Sequence, residues 1–269
     1  MKHFIGVASF AILCLMSSGM VRATTVSFIP AADNTIYSED DNSAGQTATL
    51  FVGGDSIAPT ADARRAMLEF DLSSIPAGST ITAASLTLNV TTVGGNDQTT
   101  RDISLYKLTA AWGEGTSHNT GGGGPGSGGG NGFNPTQGGS TWNYGFYNTN
   151  LWTTPGGDFV STPSATAAIA GATGAVTFPF PVTWTSTDLI ADVQSWIDAP
   201  GSNFGWLLKS ASETSPKSTR QFDSREATES GAVLPTLSIS YTPAPEPSTL
   251  ALGAIGALLL AGWSLRRST

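Results

Sequence analysis

The sequence predicts an all-β domain, an antiparallel β-sandwich with one short amphipathic helix. Three observations predict it. Short runs with period-two alternation are separated by Gly, Pro, Asp and Ser turn signals. A single internal stretch has helical spacing instead. Residues 24–242, between two unusual chain ends, have the length of one larger β domain.

The strands are read in order. Residues 25–29 form a first run, stopped by Pro30, and 48–52 a second, stopped by Gly53-Gly54-Asp55. Residues 64–70 follow, then a turn over 73–78. The clearest strand is 81–90, where Leu86, Leu88 and Val90 face one way and Ser85, Thr87 and Asn89 the other. Residues 103–108 alternate too. Residues 121–130 are nearly all glycine and bury nothing, so they read as a loop; no Gly-Lys-Ser/Thr follows, which excludes a phosphate-binding loop. An aromatic cluster comes next: Trp142, Tyr144, Phe146, Tyr147 and Trp152. The helix is predicted over 188–199, with Leu189, Ile190, Val193, Trp196 and Ile197 on one face. Ser186 or Thr187 caps it and Pro200-Gly201 ends it. Strands resume at 205–209, at 221–224, and at Leu237, Ile239 and Tyr241. No internal repeat is visible.

The ends carry addresses. Lys2, an apolar run over 4–16 and the exit Val21-Arg22-Ala23 have the layout of a secretory signal peptide over 1–23, with cleavage expected after Ala23. At the other end, Pro245-Glu246-Pro247 precedes a charge-free run over 250–265, closed by Arg266 and Arg267. The run is marginal in length for a membrane span, and the arginines are expected to stay cytoplasmic. The order of these features in residues 243–269 resembles the PEP-CTERM sorting signal of Gram-negative bacteria. That resemblance implies an exosortase-type processing enzyme as partner, a membrane contact before processing, and a place in the cell envelope or an extracellular polysaccharide matrix. An ordinary C-terminal membrane anchor is the alternative.

Composition narrows the chemistry. The single cysteine, Cys14, lies in the signal, so disulfides and thiolate chemistry are excluded from the domain. Only His118 remains of two histidines, which leaves a zinc site without ligands. The net charge is -8, and no acidic residue leaves with the signal or the arginine pair. Nucleic acid is therefore not an expected partner, because phosphate neutralisation needs clustered Lys and Arg.

Across the domain, Asp33-Asn34, residues 65–78, Trp112-Gly113-Glu114-Gly115, residues 205–209 and Ser224-Arg225-Glu226 resemble the DNRLRE-type carbohydrate-binding modules. The resemblance implies a jelly-roll-like sandwich and a non-catalytic role on polysaccharide. The family's Thr-Trp after Trp-x-Glu-Gly is displaced here, to Thr141-Trp142, by the glycine loop. Trp142, Tyr144, Tyr147 and Trp152 are the candidate carbohydrate-binding residues, because sugar C–H groups stack on aromatic faces. The alternative is that these rings plug the core, as expected for Trp112, Trp196 and Trp206. Asp33, Asp40 and Asp41 are candidate Ca²⁺ ligands, against a plain solvated loop. Arg225-Glu226 reads as a structural pair; Arg64, Arg65, Arg225 and Lys209 are candidates for acidic sugars. Catalysis would rest on Glu114 with Asp158, a weak pairing, or on a lyase base. The other readings are a structural matrix protein without a sugar ligand and a polysaccharide lyase or hydrolase.

Overall fold

The computed structural model describes residues 22–55, 59, 61–118 and 130–244. In chain order the strands are β1 (Thr24–Phe28), β2 (Ala32–Tyr37), β3 (Thr49–Gly54), β4 (Ala63–Glu69), β5 (Thr80–Val93), β6 (Arg101–Lys107), β7 (Tyr144–Phe146), β8 (Asn150–Leu151), β9 (Ala165–Ile169) and β10 (Phe180–Trp184). The helix α1 (Thr187–Asp198) follows, then β11 (Trp206–Ser210), β12 (Arg220–Asp223) and β13 (Thr236–Thr242). β7 and β8 pair only with each other, and the other eleven strands form one antiparallel sheet that curls into a half-barrel. The all-β sandwich class and the single short helix predicted from the sequence are borne out.

The sheet works as two layers joined through β3. Residues 49–52 of β3 pair with β12 in the first layer, while Gly53 and Gly54 pair with Arg64 and Ala63 of β4 in the second. The crossing needs glycine. Gly53 has φ +123°, and a Cβ there would lie 2.6 Å from the Ser218 carbonyl oxygen. The spine of the first layer is β5. Leu86 pairs with both Trp184 and Leu237, and Val90 with both Phe180 and Phe222. So β10 lies along one side of β5, and β13 and β12 succeed each other along the other. β1 adds to the free side of β13. The second layer runs β2, β4, β11, β6, β9.

The main core lies between the layers. Leu86, Leu88, Val90, Phe222, Leu237 and Ile239 meet Ala66, Leu68, Ile103, Leu105, Trp206 and Leu208. Alternation in β5 and β13 puts every second side chain inward, as their patterns require. The helix buries Leu189, Val193, Trp196 and Ile197 in the same core. It starts where expected, because the Ser186 hydroxyl accepts a bond from the Leu189 N–H at 2.8 Å. The Trp196 and Trp206 rings cross edge to face at 4.4 Å. Trp184 donates to the Ile103 carbonyl at 2.8 Å and Trp206 to the Asp192 carboxylate at 2.8 Å, whereas the buried Trp196 indole nitrogen has no hydrogen-bond partner.

Five strands escape the sequence reading, the short β7 and β8 within the aromatic cluster and three in the main sheet. β2 carries Asp33, Asn34 and Thr35 in succession and is buried on both faces, so it shows no alternation. β9 is built mostly of alanine. β10 contains Pro181 and lies at the edge of its layer, pairing only with β5.

One ionic knot secures the far end of the first layer. Arg220 is fully buried and donates to Asp97 at 3.1 Å and to the carbonyl of Thr99 at 2.5 Å. Arg101 donates to the same carboxylate at 2.9 Å. Burial opposes ionisation of Asp97, but the bonds from Arg101, the Thr99 N–H and Arg220 outweigh it and hold its pKa down to about 2. A depressed carboxylate contributes stability above its unfolded value of 3.8 and loses it as pH falls through the folded value. Denaturant unfolding should therefore show Asp97→Asn less stable than the parent at pH 7, with the gap closing between about pH 4 and pH 2. A gap that stays constant across that window would exclude the knot as its source.

Candidate functional site

The second layer is apolar on both sides. In β4, Ala66 and Leu68 face the main core while Met67 faces outward; in β11, Trp206 and Leu208 face inward and Leu207 outward. The chain between β6 and β9 folds over that outer face. Leu108, Trp112 and Trp152 join Ile36, Met67 and Leu207 in a second core, with Trp142, Phe159 and Phe204 packed against it. The Trp112 indole donates to the Phe204 carbonyl and that of Trp152 to the Thr141 carbonyl, both at 2.9 Å. Trp112, Trp196 and Trp206 are thus core residues, as the sequence suggested.

The four aromatic candidates part company here. Trp152 is 6% exposed and offers no open ring face. Trp142 is half-buried, and the Arg65 guanidinium sits 4.5 Å from its ring centre. Tyr144 and Tyr147 are both half-buried on the β7–β8 hairpin, crossing edge to face at 5.5 Å. Asn143, Asn148 and Asn150 are exposed beside them. That hairpin tip combines ring surface with amide donors and acceptors, the lining a sugar requires.

The four cations proposed for acidic sugars are already paired internally. Arg64 bonds Glu39 at 2.7 Å, Arg65 bonds Glu213 through two nitrogens at 3.0 and 2.8 Å, and Lys209 lies 3.4 Å from Glu213. Arg225 grips Glu114 through two bonds of 2.7 and 2.6 Å. The Arg225–Glu226 pair expected from the sequence exists, at 2.9 Å, but Glu114 is the stronger partner.

Around Arg225 the resemblance motifs converge. The Asp33 N–H donates to Glu114 at 2.8 Å, and the Arg225 N–H donates to Asp33 Oδ2 at 2.8 Å. Asn34 spends its amide on Ser43, Ser140 and the Ala44 N–H, all buried. So β2, the turn after β12 and the strand-less segment holding Trp112 to Gly115 are tied at one point. Burial and then the Glu226 charge push the Asp33 carboxyl well above the usual carboxylate range, against the Arg225 N–H. Burial likewise raises Glu226.

Asp40 and Asp41 do not join Asp33. Both sit in the left-handed region, at φ 52° and 54°. Asp40 is exposed, and Asp41 accepts the Asn143 N–H at 2.9 Å, tying the β2–β3 loop to the aromatic hairpin. The carboxylates that reach Asp33 are Glu114 and Glu226. Asp158, the proposed partner of Glu114, instead caps the N–H groups of Thr153 and Thr154 at 2.9 and 3.0 Å. His118 contacts the Thr116 carbonyl at 2.7 Å.

The internal role of Trp152 can be tested directly. Trp152→Ala should cost about 3–5 kcal/mol of stability, the range for emptying a large aromatic from a core, measured by urea denaturation. A loss below about 1 kcal/mol would place the ring outside the packing.

No curated protein matches the chain. Residues 24–120 match the family model described as Carbohydrate-binding module family 96. The matched segment opens on β1, holds Asp33 and Glu114, and ends before the aromatic hairpin.

Proposed function

We propose that this chain is an exported, non-catalytic carbohydrate-binding protein that holds polysaccharide at the cell envelope or in an extracellular matrix. The observation that carries the reading is the family match over residues 24–120. The half-buried Tyr144 and Tyr147 on their hairpin supply the aromatic surface such a role needs. Export rests on the N-terminal segment 1–23, and sorting by an exosortase-type enzyme of a Gram-negative bacterium rests on Pro245, Glu246, Pro247, Arg266 and Arg267. Apart from Arg22 and Ala23, these segments lie outside the described residues. Among the described residues no helix is long and apolar enough to cross a membrane.

A structural matrix protein is the second reading. It is favoured by one observation: Trp152 is enclosed and Trp142 already carries an arginine. A glycan array with the full chain separates the two. Binding to one polysaccharide class, weakened about tenfold (~1.4 kcal/mol) in Tyr144→Ala/Tyr147→Ala, supports the module. Silence across neutral and acidic glycans favours the matrix role.

A further inference from the structure

The Asp33 knot gathers three carboxyl groups around one arginine. One carboxylate oxygen from each of Asp33, Glu114 and Glu226 lies within 4.8 Å of the others. Arg225 is the cation bonded to this group, so three carboxylates face one guanidinium. Its bonds are unevenly spent. Glu114 uses both oxygens on Arg225, and one of them also on the Asp33 N–H. Glu226 gives Oε1 to Arg225, while Oε2 meets the Ser224 hydroxyl at 3.3 Å. Asp33 gives Oδ2 to the Arg225 N–H, and its Oδ1 has no hydrogen-bond partner although the residue is completely buried. An orphaned carboxylate oxygen without water access is costly unless a positive group meets it.

We propose that this cluster is a calcium site, with Asp33 Oδ1 and the Glu226 carboxylate as protein ligands and Glu114 as the third nearby charge. The donor set is all oxygen, which selects a hard cation. A divalent ion that displaces the carboxyl protons balances the two charges that Arg225 then leaves over. Calcium accepts irregular coordination completed by water, whereas magnesium demands near-octahedral geometry. The site joins residues far apart in sequence, 33, 114 and 226, so an ion there fastens β2 to two loops at once. Its ligands are different residues from the hairpin tyrosines, so calcium binding can be read without any glycan.

Calorimetric titration of the full chain with CaCl₂ after chelator treatment tests this. One site is expected, with a Kd on the order of 10⁻⁴–10⁻³ M, the range of extracellular modules. Glu226→Gln should weaken it at least about tenfold, and Asp33→Asn likewise, whereas Asp41→Asn should leave it unchanged. A rise in Tm with calcium in the parent, absent in Glu226→Gln, should accompany binding. Three results overturn the site: no binding up to about 10 mM calcium, well above that range; equal binding in Glu226→Gln and the parent; or loss in Asp41→Asn with retention in Glu226→Gln. If Asp33→Asn fails to fold, Glu226→Gln decides alone.

Discussion

The architecture depends on a second layer that is apolar on both faces. Met67 beside Leu68 in β4, and Leu207 beside Leu208 in β11, leave no face for water. Burying such a side chain is worth roughly 1.5–3 kcal/mol, so leaving one face of the layer open would forfeit several of these gains. The long excursion between β6 and β9 exists to cover it. With Trp112 and Trp152 buried in that cover and Arg65 on Trp142, the half-open rings of the group without a cation on them are those of the hairpin beyond. Packing thereby decides which rings are free to meet a ligand.

The polar knot answers a related demand. β2 is buried but carries Asp33, Asn34 and Thr35, three side chains that need partners. Asn34 is fully occupied by Ser43, Ser140 and Ala44. Thr35 accepts the Phe51 N–H at 3.1 Å. Asp33 alone is left with an oxygen unmet. The outer core and the knot share this strand, since Ile36, three residues after Asp33, enters the outer core. A strand that is neither alternating nor apolar thus holds together parts that the rest of the sheet leaves separate.

How much of this was legible in the sequence follows from what each residue's neighbours reveal locally. β5, β13 and α1 declare themselves because one face is wet and one dry, so the period is written in the residue order. β2 and β9 were hidden, the first by burial on both sides and the second by alanine, which marks no face. Trp142, Tyr144, Tyr147 and Trp152 read alike in the sequence because core and ligand-contact rings have the same composition; the fold of residues 130–160 sorts them. Glu114 was visible as part of a motif, but its bond to Arg225 spans 111 positions and no local pattern encodes it. Asp33 was rightly noticed as acidic, yet its neighbours in space are not Asp40 and Asp41.

The pairing of β1 with β13 sets how the molecule takes a pull. Thr24 lies opposite Tyr241, so both ends of the domain leave from the same edge. Tension entering beyond Ala244 runs lengthwise along β13, which is flanked by β1 on one side and β5 on the other. A load on the C-terminal side of β13 therefore falls on strands whose Leu237, Ile239, Leu86 and Leu88 also close the main core.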